Sequence, residues 1–279
     1  MTSQSKKRNN FGKNSLDNVG NASMRSLQVA DSALYQKFGQ LPKTDQLRIA
    51  WEILRLQAQI LFSKKFLWFI GGILGYFVIA YIINYRQPIL DRLTPEDALP
   101  WLLEFPLTIL AIYLNMQLIA SEKENRTLEV MFTTAGSRYK VWLLRLGTLN
   151  LLLLTLAFLL SGLAFFAFAD IEILGTAIHG FVPSYFVGAM TLFFSVKFRG
   201  GFAAGMVAAG LVTLTFMFNE ALRDTRYFMY FNPYFLPRQI DPETWNLWMW
   251  QNRITVLAAG MALQFFALRG LQDRERLLR

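Results

Sequence analysis

The chain has 279 residues, 54% of them hydrophobic, with 25 Phe, no Cys and a formal net charge of +9. Its apolar residues gather in six blocks, each about twenty residues long, the length that crosses a bilayer's hydrocarbon core. That pattern excludes a soluble domain, and the missing Cys excludes disulfides and thiolate metal sites.

The expected fold class is therefore all-α: a polytopic membrane protein with six transmembrane helices, an amphipathic helix ahead of them and a short charged helix between spans two and three. Residues 1–44 are rich in Asn, Ser, Lys and Gln without a sustained apolar period. Such a stretch buries too little surface to offset its ordering entropy and is expected to be a disordered cytoplasmic tail, with Lys6, Lys7 and Arg8 solvated. The first apolar block begins some sixty residues in, so no signal peptide is expected.

Residues 45–65 change character. Leu47, Trp51, Leu54, Ala58 and Leu61 recur at helical spacing, while Arg48, Glu52, Arg55 and Gln59 line another face. This predicts an interface helix lying on the membrane surface, with Arg48, Trp51, Glu52 and Arg55 as its defining residues and Lys64 and Lys65 at the headgroups.

The six spans are expected at about 66–85, 100–120, 141–168, 176–196, 201–218 and 247–268. Gly71 with Gly75, and Gly201 with Gly205, are spaced for close helix approach, and Pro106 marks a bend. Asp170 and Glu172 sit in a brief outer turn. Residues 219–246, aromatic and proline-rich, read as a re-entrant or interface-lying hairpin that closes an outer mouth. Residues 269–279 form a short charged cytoplasmic tail.

Between spans two and three stands a charged segment at 121–142. Ser121 and Glu124 have the spacing of a capping box, predicting a helix that starts there and runs to about Phe132. Thr133, Thr134, Ala135 and Gly136 would end it, and Ser137 would cap the next helix. Of the 28 basic residues, only Arg86, Arg92, Arg223, Arg226, Arg238 and Arg253 fall on the opposite side of the membrane from this segment. By the positive-inside rule both termini and the charged segment are cytoplasmic, which accounts for the net charge as topology and gives no reason to expect nucleic-acid binding.

Little in the chain carries chemistry. There is no phosphate-cradling GxxxxGK[ST] loop, no HExxH and no GxSxG, so no enzymatic activity, cofactor or metal of its own is expected. Asp170, Glu172 and His179 on one outer rim support an alternative, a membrane-embedded lipid-modifying enzyme. Arg253 lies about 9 Å into the sixth span from Leu247. A charge at that depth snorkels, pairs with an acid such as Glu220 or Glu104, or faces a pathway, so Arg253, Glu104 and His179 form the candidate pathway or structural polar set. Asn115, Gln117, Asn150 and Gln264 read as interhelical hydrogen-bond partners.

The charged segment, with Thr127, Leu128 and Glu129 followed by Ser137 and Arg138, resembles the corresponding segment of the ABC-2 type permeases of ABC transporters. Arg126 stands where that family often has Gly. The resemblance extends to the amphipathic helix, the six spans, the minimal loop between spans four and five, and the aromatic hairpin before span six.

It implies a permease subunit of an exporter in a prokaryotic inner or plasma membrane, pairing with a second copy or a related permease. Two copies of a separate ABC ATPase would hold ATP and Mg. The short helix would be a coupling helix docked on that ATPase through Glu122, Glu124, Arg126, Leu128, Glu129, Met131, Phe132 and Arg138. Membrane lipids are the remaining partner. A non-transporting scaffold linked to an ABC ATPase is a further alternative.

Overall fold

The computed structural model describes residues 64–271 apart from 89–90, 125–137, 169 and 199, together with Pro42, Thr44, Arg48 and Arg55. Regular structure among the described residues is entirely helical. Helix α1 is Lys64–Arg86, α2 is Phe105–Glu124, α3 is Arg138–Ala167, α4 is Ile173–Phe198, α5 is Gly201–Met217 and α6 is Pro242–Gly270. Four helical stretches, Leu67–Arg86, Pro95–Ile119, Trp142–Ala167 and Ile173–Phe198, are long and apolar enough to cross a bilayer, as a membrane protein requires.

The expected fifth and sixth spans are helices of another kind. Helix α5 is apolar but has only 17 residues. Helix α6 has 29 residues but carries Asn246, Gln251, Asn252 and Arg253 in its first half.

Two helix beginnings differ from the sequence pattern. The second span starts at Pro95 rather than Pro100, because Thr94 caps it: its hydroxyl accepts from the Asp97 amide at 3.4 Å and donates to the Asp97 carboxylate at 2.8 Å. Pro95 is harmless in the first turn, where its missing N–H would have had no partner. Just before Pro106, where a bend is expected, the chain forms a π-helical stretch, Leu99–Glu104, whose wider turns accommodate a missing backbone donor. That stretch leads directly into α2.

The expected helix start at Ser121 does not occur, since α2 continues through Ser121 to Glu124. A cap needs non-helical backbone, and the unbroken Leu118-Ile119-Ala120 run propagates the helix past the motif instead. Helix α3 begins at Arg138, one residue after Ser137, which lies outside the described residues.

Helix α4 is the centre of the bundle and packs against α2, α3, α5 and α6. Small residues permit this. A Cβ on Gly180 would stand 3.2 Å from Leu103, one on Gly188 2.6 Å from the Asn115 amide, and one on Gly260 of α6 2.6 Å from the Tyr185 ring. Ser184, Thr191 and Ser195, all buried on α4, return their hydroxyls to carbonyls four residues back, which removes the cost of burying them. Asn115 likewise donates to Ala111 O within its own helix at 2.9 Å and makes no interhelical hydrogen bond among the described residues. Gln264 makes one, accepting from Tyr185 OH at 3.1 Å.

Helix α1 packs peripherally through rings. Phe69 stacks on Tyr113 at 5.0 Å, Phe77 and Tyr81 meet the edge of Phe168 at 6.1 and 6.0 Å, and Tyr76 OH donates to Trp101 O at 2.9 Å. Among the described residues nothing lies within 4 Å of a Cβ on Gly71 or Gly75, so no described helix makes the close approach expected there. The other pair does make one: a Cβ on Gly201 would collide with the Met116 carbonyl, and one on Gly205 would stand 2.9 Å from the Met116 sulfur.

Gly201→Leu should therefore lower the thermal midpoint of the purified protein, by about 1–3 kcal/mol of stability from overpacking, while Gly71→Leu leaves it unchanged. Equal shifts for the two variants in detergent would contradict the α2–α5 crossing.

Candidate functional site

Helix α6 places the central residues. Asp241 caps it, its carboxylate accepting from the amides of Glu243 at 3.1 Å and Thr244 at 3.4 Å, and Pro242 occupies the first turn. About three turns further on, Asn252 and Arg253 turn inward at 3% and 4% exposure.

They meet residues 218–241, which form one short helical turn, Asn219–Leu222, and otherwise irregular backbone. Buried irregular backbone leaves carbonyls without partners, and these two side chains supply them. Asn252 Nδ2 donates to Arg226 O at 2.9 Å and Phe228 O at 2.8 Å. Arg253 donates from Nη1 to Met229 O at 3.3 Å and from Nη2 to Phe231 O at 2.6 Å. Its Nε donates to His179 Nδ1 at 3.2 Å, and its Nη2 lies 3.9 Å from Glu104 Oε1. Arginine suits the position because its planar fork carries five donors in fixed directions.

The segment is held on its other sides as well. Phe231, fully buried, packs on Trp245 at 4.3 Å, and Tyr230 stacks on Phe216 at 4.8 Å. Tyr230 OH bonds Thr108 Oγ1 at 3.0 Å, Tyr234 OH bonds Thr176 Oγ1, and Asn232 Nδ2 donates to Glu96 O at 2.7 Å. Burial raises the Tyr230 phenol well above its ordinary value near 10, the Thr108 hydrogen bond opposing and the Glu104 charge adding to it. Burial also raises Tyr234, with Thr176 opposing.

Below this roof lies a cavity of about 550 Å³. Helices α2 and α5 touch where Gly201 and Gly205 meet Met116. Beyond that crossing the two helices wall the cavity, with Thr108, Ile112, Val212 and Phe216 among its lining residues. The roof contributes Phe228, Tyr230 and Phe235, and the turn before the π-helical stretch contributes the exposed Glu96 and Asp97.

The candidate polar set of Arg253, Glu104 and His179 is thus brought to one point, with Glu104 rather than Glu220 nearest the guanidinium. Asp170 and Glu172 are exposed, whereas the half-buried His179 is engaged by Arg253. The described residues contain no group of three or more His, Asp or Glu that could hold a metal ion. Glu122 and Glu124 lie in the last turn of α2, and Arg138 opens α3. Arg126, Leu128, Glu129, Met131 and Phe132 lie outside the described residues, as do Trp51 and Glu52, while Arg48 and Arg55 are exposed. Sequence reasoning missed Asn252, Thr108 and Tyr230. Asn252 had a signal, a second polar residue beside Arg253 in an apolar stretch; a Thr and a Tyr 122 positions apart had none.

Arg253→Met should cost about 3–5 kcal/mol, because it strands a buried carboxyl and two carbonyls, and should make residues 218–241 susceptible to limited proteolysis. Arg253→Lys should recover only part of this loss, having no fork to bond three partners; full recovery of the thermal midpoint would refute the cluster as described. For Tyr230 the folded state favours the protonated phenol. Its stabilising contribution is therefore complete below about pH 10 and lost as pH rises through the raised folded value. Tyr230→Phe should flatten the alkaline fall in thermal midpoint relative to the native chain. No family model, curated protein or solved structure matches this chain.

Proposed function

We propose that this chain is the membrane-spanning permease subunit of an ABC transporter of the ABC-2 type, an exporter in which α5 and α6 complete six spans. The observation that carries the reading is the charged segment after α2, where Thr127, Leu128 and Glu129 precede Ser137 and Arg138 in the order that the family's coupling segment shows. The surrounding architecture is compatible with it: a partly open cavity lies between α2 and α5 of a helical bundle, and residues 218–241 roof it.

With no phosphate-binding loop in the chain, energy would come from a separate ATPase that holds ATP and Mg. On this reading two permease copies stand on two ATPase copies, with the basic-rich termini and the charged segment in the cytoplasm of a cell whose inner or plasma membrane they span. Leu128, Met131 and Phe132 would form the apolar ridge toward the ATPase, and Glu129 its charged contact. Closure of the ATPase pair would move the segment as a lever and change access to the cavity.

Purification from its native membrane in mild detergent should recover a roughly stoichiometric ATPase. In the reconstituted complex, replacing Glu129 and Phe132 by Ala together should leave the chain folded while separating ATP hydrolysis from transport. A monodisperse chain free of any ATPase, or unchanged coupling in the double variant, would sink the proposal.

A further inference from the structure

We infer that the cavity between α2 and α5 is a slot for one acyl chain of a bilayer lipid, entered sideways from the leaflet on the side of residues 218–241. Its opening runs lengthwise between two rails of exposed side chains. Trp101, Phe105 and Ile109 recur at every fourth residue along one side, and Ala209, Thr213 and Phe216 follow α5 along the other. Buried Thr108, Val212 and Tyr230 line the cavity between them. The first rail belongs to Pro95–Ile119, a stretch long and apolar enough to cross a bilayer, so the slot is continuous with a lipid-facing helix surface.

Length and polarity both match a lipid tail. The slot is closed at one end, where a Cβ on Gly205 would stand 2.9 Å from the Met116 sulfur and 3.6 Å from Ile112. From Ile112 to Trp101 the helix rises about 16 Å, and half of a bilayer's hydrocarbon core is about 15 Å. The slot is therefore one leaflet deep. Exposed Glu96, Asp97 and Arg223 gather at its other end, beside Trp101, which is 58% exposed at the level where indole rings favour the membrane boundary. Between the two ends the polar side chains of the lining are already engaged. Thr108 bonds Tyr230, Thr213 bonds Ala209 O of its own helix, and Asn232 donates to Glu96 O. The Glu104 carboxyl faces the Arg253 guanidinium at 3.9 Å, which compensates its charge. Such walls would leave a ligand's polar atoms unpaired, whereas they shelter a methylene chain without cost. A volume of about 550 Å³ lies in the range of sites for small molecules. Calling this lipid transported cargo rests on the permease reading; the slot itself does not.

The test uses the purified full-length chain in detergent, without ATPase, titrated with phosphatidylcholine that carries a photoreactive diazirine on one acyl chain. One probe has the diazirine at the chain's end, the other beside its ester. Labelling should saturate and be displaced by unlabelled phosphatidylcholine. Peptide mass spectrometry should place the chain-end label around Ile112 and the ester-side label around Trp101 and Phe105. This depth comparison is made on the native chain and so does not depend on how any variant folds. Thr213→Trp fills the slot from α5 and should lose the saturable labelling, while Leu214→Trp, the same bulk at a 49% exposed α5 position outside the lining, should keep it. Labelling that never saturates, one set of residues labelled by both probes, or undiminished labelling of Thr213→Trp would overturn the slot. The chain has no Cys, so Thr213→Cys supplies a single thiol. Its efficient oxidation to a disulfide between two copies, in place of lipid labelling, would show a second copy covering the opening and would also overturn the proposal. Saturable, depth-ordered labelling of a chain that never co-purifies with an ATPase would support the slot and sink the permease reading.

Discussion

Irregular backbone packed inside a membrane protein must find its hydrogen bonds in the protein, since lipid offers none. Residues 218–241 meet that constraint through two adjacent side chains on α6. Asn252 and Arg253 together hold the carbonyls of Arg226, Phe228, Met229 and Phe231. Remove these donors and four buried carbonyls of the roof lose their partners, leaving only its ring packing and the Thr108, Thr176 and Glu96 hydrogen bonds to hold it. Glu104 and His179 come into the cluster as neighbours of a cation whose geometry the carbonyls dictate.

A second constraint is helix spacing. Helices α2 and α5 touch at Met116 because Gly201 and Gly205 offer no side chain there. Larger residues further along, Phe105 and Ile109 on one helix and Val212 and Phe216 on the other, line the space that follows. On α4 the same economy of volume lets four helices pack on one. Bonded hydroxyls there keep the small polar residues from costing stability. Tight contact at one end and a chamber toward the other is a consequence of where the glycines fall along α5.

Much of the architecture is legible in residue order. Runs of apolar residues locate α1 to α4 because a bilayer's thickness sets their length, and Arg253 stands out because charge is rare in such a run. Other signals were local and lost to their surroundings. Ser121 and Glu124 have capping-box spacing, but α2 was already propagating and passed through them. Gly71 and Gly75 share their spacing with Gly201 and Gly205, yet among the described residues only the second pair has a helix lying opposite. Thr94, a cap with ordinary local chemistry, was hidden by the apolar run that follows it and moved a helix start by a full turn.

By itself the sequence determined an all-helical chain of membrane-crossing hydropathy, the approximate places of α1 to α4 and the three polar residues that do not belong in lipid, because length, hydropathy and charge are properties of the chain. Only the tertiary structure decided that Arg253 spends its donors on loop carbonyls and lies nearer Glu104 than Glu220. It alone showed that Asn252 shares that task, that Thr108 meets Tyr230, and that α2 and α5 line a partly open cavity. Those outcomes depend on which surfaces face one another across more than a hundred residues of chain, and helical periodicity carries no record of that.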